Sequence, residues 1–319
     1  MIAHQRVRKV TKRHKATFVG LGVMGLRHVR VFASLARRFE VVGAYDVRDD
    51  IGLPEYTSLS RLRSEDEAIA RADVVIVATP TRVHWGTVAR ALAAGRHVLV
   101  EKPLCATTAD AMALVGLSRR GPGRLFVGHS ERFNPVVRVL AGLTRGEPLI
   151  SIDLLRVGPS RPTDCGVLVN LGVHDFDLAT YLGRAPLALR AALGGPGEDL
   201  AHVLFTTARG AVGHLCVDRS ASARRRSIAL TTPRWHYEGN LLAYDLVRTS
   251  RMTGVRTDVP LPLDEPLVAQ ASALADTLDG AQAREIATGE DGAYAVALAE
   301  EAISQCACGL SGSQTVSGA

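Results

Sequence analysis

Gly20-Leu21-Gly22-Val23-Met24-Gly25 spells G-x-G-x-x-G immediately after a short apolar run. Each glycine of that spacing has a task beside a phosphate. The first permits a tight turn, the second lets the backbone approach a pyrophosphate, and the third lets the following helix pack close. The first N–H groups of that helix then face the anion along a favourable dipole. Asp46 stands 21 residues after Gly25, directly behind the run Glu40–Tyr45. A carboxylate at the end of a second strand accepts hydrogen bonds from the adenosine ribose and repels a 2′-phosphate. Gly20, Gly22, Val23, Met24, Gly25 and Asp46 are therefore expected to hold NAD. Arg48, two residues on, keeps NADP open as the less favoured cofactor.

Two further side chains could work on a proton and a developing charge. Lys102 follows the apolar run His97–Val100 and precedes Pro103, which stiffens the turn. An ammonium there could donate to an oxygen that becomes an alkoxide; a surface lysine at a strand end is the plain alternative. His174 opens a helical pattern after Gly172. Its imidazole titrates near neutral pH and could take a hydroxyl proton, or it could be structural. Together they match what oxidation of a secondary alcohol requires besides a hydride acceptor: a base and a stabiliser of negative charge. Arg156 and Arg161 could grip a phosphate or carboxylate bidentately, or lie on the surface. His174, Asp175 and Asp177 have the residue types of a metal site, but adjacent helical residues diverge by about 100°, and no metal is expected.

These residues need a scaffold, and the first half of the chain supplies an alternating one. Strands are predicted at Ala16–Gly20, Glu40–Tyr45, Asp73–Ala78, His97–Val100 and Leu125–Val127. Helical patterns over Val23–Arg37, Val83–Ala94 and Thr107–Arg119 fall between them, with Thr81 as an N-cap and Gly95 past a helix end. That alternation predicts a Rossmann-type, doubly wound parallel sheet. After about residue 145 the pattern becomes strand-like without intervening helices, at Leu187–Leu193, Leu200–Thr207, Ala211–Val217, Ser227–Thr232 and Leu241–Val247. Helices are read at Val173–Leu182, Leu267–Leu278 and Ala293–Cys306. A mostly antiparallel, open-faced sheet with one face covered follows. The expected division is 14–130 for dinucleotide binding and 131–308 for substrate binding and oligomerisation, with 1–13 and 309–319 as flexible tails.

Composition narrows the class. The chain has 319 residues, 47% hydrophobic and 22% charged, which suits a globular protein. The net charge of +6 arises in residues 1–15, where Arg6, Arg8, Lys9, Lys12, Arg13 and Lys15 lie; without them 32 basic face 32 acidic groups. Nucleic-acid binding is not expected from so local an excess, and the run Arg224–Arg226 reads as a solvated turn or strand edge. No apolar run reaches the length of about 20 residues that spans a bilayer, and no secretory signal pattern precedes the fold. A cytoplasmic protein is expected, its five scattered cysteines reduced.

Three segments sharpen the reading: Val77-Ala-Thr-Pro-Thr-Arg-Val-His84, Gly95-Arg-His-Val-Leu-Val-Glu-Lys-Pro103 and Gly166-Val-Leu-Val-Asn-Leu-Gly-Val-His-Asp-Phe-Asp177. In this order they resemble the glucose-fructose oxidoreductase, inositol dehydrogenase and rhizopine catabolism group, the Gfo/Idh/MocA family, over about residues 16–308. Val127-Gly-His-Ser-Glu-Arg-Phe-Asn-Pro135, Arg156-Val-Gly-Pro and Asp164-Cys-Gly-Val-Leu look most like its nucleotide-sugar 3-dehydrogenases. The resemblance implies that Lys102 and His174 are catalytic and that Glu101 positions the lysine or the cofactor. It implies that Thr79, Pro80, Thr81 and His84 line the nicotinamide side. Arg132, Phe133, Asn134, Arg156, Asn170 and Asp175 would meet a sugar, nucleotide-sugar or cyclitol. A homodimer or homotetramer through the open sheet is implied too. Asn170 departs from the pattern, for many relatives carry aspartate four residues before the histidine. An asparagine cannot stabilise an imidazolium as an anion would. Reduction of a ketosugar with NADPH, or cofactor binding with little turnover as a sensor or scaffold, therefore stay open.

Overall fold

The first strand is buried on both faces over Ala16–Val19 because helices cover both. β1 (His14–Val19) passes through the glycine turn into α1 (Val23–Ser34), and β2 (Phe39–Tyr45) and a short β3 (Ser60–Arg61) follow. Next come α2 (Glu65–Arg71), β4 (Val74–Val77), α3 (Thr81–Ala93), β5 (His97–Val100), α4 (Thr108–Arg120) and β6 (Leu125–Val127). This computed structural model describes residues 13–53, 59–159, 165–195, 198–282 and 284–311. Strands β3, β2, β1, β4, β5 and β6 lie side by side in that order and all run parallel. The order reverses between β1 and β4, and the crevice at such a switch point is where a doubly wound fold binds its ligand. Pro80 rather than Thr81 is the residue before α3; Thr81 is its first helical residue and no side chain caps it.

A 3₁₀ turn, Ser130–Phe133, leads into α5 (Pro135–Leu143), where Asn134 Oδ1 accepts the Val136 N–H as an N-cap. The second layer holds β7 (Ser151–Val157), a π-helical segment Leu168–Gly172, α6 (Val173–Gly183), β8 (Leu187–Gly194), β9 (Leu200–Thr207) and β10 (Val212–Asp218). It continues with β11 (Arg225–Thr231), β12 (Trp235–Asn240), β13 (Asp245–Ser250) and β14 (Arg256–Asp258). These eight strands form one sheet in the order β14-β13-β12-β11-β7-β10-β9-β8, antiparallel throughout except for β7 beside β10. The expected strand at Leu241–Val247 is in fact a turn followed by β13, because Asn240 Oδ1 accepts the Leu242 and Ala243 N–H groups and reverses the chain. β7 and β12 were not foreseen.

One face of this sheet is buried beneath α6 and the closing helix α8 (Gly289–Ser311), in a core containing Ile152, Leu154, Val203, Phe205 and Leu215. Among the described residues no helix covers the other face, and Leu204 and Val212 are exposed on it. Two late elements return to the first layer. α7 (Pro266–Leu278) sets Ala271 and Leu274 into one core with Phe18 and Phe32. β15 (Ala287–Thr288) pairs antiparallel with β6 and becomes the seventh strand of the first sheet. No helix among the described residues is long and apolar enough to cross a membrane.

Candidate active site

Gly20 adopts φ +91°, and a Cβ there would meet the Ala78 carbonyl at 2.7 Å. At Gly25 a Cβ would come within 1.9 Å of the Gly20 oxygen, so α1 can start this close to the turn only without a side chain. Gly22 is different: a Cβ there would touch nothing, and the backbone lies open before α1. Val23 is largely exposed and Met24 lines the adjoining cleft. This is the surface a pyrophosphate needs.

Asp46 Oδ2 accepts the Leu21 N–H at 2.6 Å, tying β2 to the glycine turn. Its Oδ1 accepts Arg48 N and Nε at 2.9 and 3.2 Å. Burial pushes this carboxyl up, but the Arg48 side-chain bond and the Leu21 and Arg48 N–H groups outweigh it and hold it below its usual value. The expected ribose acceptor is thus ionised, and its guanidinium partner is largely exposed. Across the turn, Thr79 carries a buried hydroxyl with no hydrogen-bond partner among the described residues. An open glycine backbone, an ionised acceptor and an unspent hydroxyl around one crevice fit a dinucleotide.

His84 does not line that crevice. Its ring is buried, with Nε2 2.9 Å from the Thr79 oxygen and Nδ1 3.0 Å from the Pro103 oxygen. It braces two loops against each other, which corrects the expectation of a direct cofactor contact.

The interdomain cleft, about 540 Å³, is lined by Met24, Arg27, Glu101, Lys102, Glu131 and His174 among others. The Rossmann layer supplies Glu101 and Lys102 from the end of β5; the second layer supplies His174 from the first turn of α6. Glu101 accepts from His28 Nε2 at 2.7 Å. Burial raises its carboxyl, yet His28 and Lys102 together hold it below the ordinary range. The Lys102–Pro103 peptide is cis. Lys102 Nζ donates to the Asn170 backbone oxygen at 2.7 Å and to its Oδ1 at 3.3 Å. Burial, with Arg156 and Arg226 nearby, lowers this ammonium to about 8 against the pull of Glu101. His174 is held well below an ordinary histidine, first by burial and then by Lys102, Arg156, His129 and Arg226. Its Nδ1 is buried without a partner among the described residues, leaving Nε2 for the cleft. At neutral pH the site pairs a neutral imidazole with a mostly protonated amine.

Five side chains expected to meet substrate are buried and held by other parts of the protein. Arg156 is 3% exposed; its Nε and Nη2 donate to Asp175 at 2.9 Å and Nη1 to Glu131 at 3.1 Å. Burial raises the Asp175 carboxyl against the pull of this arginine. Arg132 is equally buried, donating to Asp177 at 2.8 and 2.6 Å and to Asp291 at 3.3 Å. Phe133 belongs to the first-layer core. Asn134 is 3% exposed, its amide spent on α5 and the Leu241 oxygen, although its edge borders the cleft. These side chains build the wall rather than reach through it. His174, Asp175 and Asp177, weighed as metal-type neighbours, turn to the cleft, to Arg156 and to Arg132. Arg161 and Asp164 lie outside the described residues.

Sequence reasoning missed Arg226, read as part of a solvated run. It pairs with Glu131 at 2.9 Å and borders the cleft, while Arg224 and Arg225 stay exposed. Its register opposite Arg156 on β7 puts it on the covered face, a pairing no single-chain pattern displays. His129 was missed as well; it sits against His174 with ring centres 6.1 Å apart.

A parallel sheet in this strand order, a glycine turn at its switch point and a lysine–histidine cleft against a second sheet define a two-domain dinucleotide-binding protein. Residues 14–129 match the family described as oxidoreductase family, NAD-binding Rossmann fold, and residues 156–236 match the GFO/IDH/MocA C-terminal domain. The chain belongs to the Gfo/Idh/MocA family. It is 30% identical over 210 residues to a UDP-N-acetylglucosamine 3-dehydrogenase of Acidithiobacillus ferrooxidans, a match spanning 63% of this chain and 66% of that protein. The rhizopine catabolism protein MocA of Rhizobium meliloti is 30% identical over 200 residues, 56% of this chain and 61% of that protein. The chain thus spans between about half and two thirds of the length of the curated relatives it matches. The solved structure of the A. ferrooxidans dehydrogenase superposes with a TM-score of 0.85 at 24% identity, covering 93% of this chain and 99% of the other. The WlbA dehydrogenase of Bordetella pertussis, solved with NADH and UDP-GlcNAcA, gives 0.74 at 19%, covering 93% and 98%.

Proposed function

We propose that this chain catalyses NAD-dependent hydride transfer at a secondary alcohol or ketone of a sugar, with a nucleotide-sugar as the favoured substrate. One observation carries the reading: Lys102 and His174 come from different layers and line the same cleft, beside the open backbone at Gly22. A bound nicotinamide supplies the hydride acceptor. The protein's part is to move a proton and hold a charge. His174 Nε2, neutral and facing the cleft, takes the hydroxyl proton. Lys102 Nζ donates to the same oxygen as it becomes an alkoxide, while Asn170 fixes the amine from behind. Glu101, anchored by His28, keeps an anion next to the ammonium. Asp46 favours NAD over NADP by repelling a 2′-phosphate, although Arg48 beside it softens the preference. The nucleotide-sugar preference is supported by the relative from A. ferrooxidans. Assembly through the uncovered face of the second sheet is part of the same reading, supported by the apolar side chains exposed there.

The test is a screen of the purified protein with NAD against UDP-N-acetylglucosamine, free hexoses and inositols, read by the absorbance of reduced nicotinamide. Turnover is expected with at least one of them. His174→Gln should slow it about 10²–10⁴-fold, the range general acid–base catalysis carries, with NAD still bound. Cofactor binding without reduction by any of these alcohols would overturn the reading in favour of a protein that only senses the nucleotide.

A further inference from the structure

Behind His174 lies a second imidazole that the proposed reaction does not use. His129 is 1% exposed, and neither of its ring nitrogens has a hydrogen-bond partner among the described residues. An unmet buried polar group is costly, and native interiors hold few of them. The His129 ring stands at 83° to that of His174, with centres 6.1 Å apart. That is roughly 1 Å beyond the spacing of two imidazoles joined by one direct N–H···N bond, and such bonds tighten when a site closes on its substrate. On its other side, His129 Nδ1 is 3.8 Å from Asp177 Oδ2. Asp177 is fixed by Arg132, and Arg132 reaches Asp291. The order running inward from the cleft is His174, His129, Asp177.

The surrounding charges differ along this row. His174 is faced by Lys102 from the end of β5, Arg156 from β7 and Arg226 from β11, all cations. Its neighbour Asp175 is committed to Arg156, and Glu131 to Arg156 and Arg226. His129 is faced by Lys102 and Arg132, but also by the carboxylates of Asp177 and Asp291. Burial depresses both imidazoles, but only His129 has carboxylates facing it to offset this. A positive charge is therefore better tolerated one ring deeper.

We infer that His129 receives the proton that leaves the substrate hydroxyl by way of His174. The substrate O–H bond breaks as an N–H bond forms at His174 Nε2. The N–H bond at His174 Nδ1 breaks as the proton joins the facing nitrogen of His129. His174 ends neutral, and His129 becomes a cation beside Asp177. Only a proton moves, so no oxidant is needed beyond the hydride acceptor, and reduction runs the row in reverse. His129 acts through His174 and does not touch substrate; it is a positioning residue. The relay rests on the proposed reaction.

Two variants test it. His129→Phe keeps an aromatic ring with no nitrogen to protonate, and His129→Gln keeps a polar group that cannot carry the proton. In both, kcat should fall about 10- to 100-fold, below the full range for an acid–base group, with KM for the sugar and affinity for NAD unchanged. The acidic limb of the kcat–pH profile should move to lower pH, because His174 alone among its cations is the weaker base. Loss of turnover with an unmoved limb would mean a structural role and overturn the relay, as would full turnover. A nitrogen-15 NMR titration of labelled histidines in the NAD-loaded protein is independent of turnover. The resonance missing from the variants should gain its proton at higher pH than that of His174. The reverse order overturns the relay. If no sugar is turned over but the order holds, the reaction is at fault rather than the proton path.

Discussion

Replacing Lys102 by methionine should make the protein more stable while it loses activity. The ammonium is held at about 8 rather than 10.5, chiefly by burial. At about 1.4 kcal/mol per unit, keeping it charged in the folded state costs about 3 kcal/mol at neutral pH. Methionine matches its length without a charge. The 2.7 Å bond to the Asn170 carbonyl is lost, while the 3.3 Å contact with Oδ1 is too long to add much; a bond to a charged donor contributes about 1.5–3 kcal/mol, so the net gain at pH 7 lies between zero and about 1.5 kcal/mol. The sign with pH follows from linkage. Between about 8 and 10.5 the unfolded chain binds the proton that the folded protein has released, so wild-type stability rises with pH across that window. Lys102→Met should lack this rise and converge on or fall below the wild type at the alkaline end. Thermal unfolding of both proteins from pH 7 to 10 measures it, and the same samples should show turnover reduced by about 10²–10³, the loss expected for one charge-stabilising donor. A variant less stable than wild type at pH 7 with the same alkaline slope would refute the idea that burial strains this amine.

Asp46→Ala should narrow the preference for NAD over NADP and loosen the glycine turn, since the Leu21 N–H loses its acceptor; fluorescence titration with both cofactors checks it. Asp175→Asn should lower stability by about 3–5 kcal/mol, because it leaves the buried Arg156 short of a charge, and denaturant unfolding reads that loss directly. Asn170→Asp should place an anion on Lys102 Nζ, raise the amine above about 8 and move the alkaline limb of the kcat–pH profile upward.

The first domain was the more legible because its chemistry is local. Gly20 to Gly25 and Asp46 lie on a single β-α-β unit, and the resemblance carried Glu101 and Lys102. The apolar runs of β4 and β5 mark themselves because both faces of a parallel sheet are buried. The second domain is built from pairings between distant segments. β12, Trp235–Asn240, mixes aromatic, charged and glycine residues and carries no alternation to announce it. The arginines were misjudged for the same reason. Arg132 and Arg156 look available in sequence, and only the fold brings Asp177 and Asp175 against them. Arg226 looked like surface charge until β11 placed it opposite Arg156. Asn170 was read as a partner of His174, yet its hydrogen bonds come from Lys102, because the π-helical segment before α6 presents both its carbonyl and its amide to that amine.

The return of α7 and β15 to the first layer bears on how the polypeptide matures. The strand that flanks β6 and the helix that seals Phe18 and Phe32 are both encoded after residue 265, behind the whole second sheet. During synthesis the nucleotide-binding half must wait, with one sheet edge unpaired and an apolar face uncovered, until nearly nine tenths of the chain has been made. A fragment ending after β6 would keep the glycine turn and still expose that edge and face, so it should associate with itself rather than fold as an independent module.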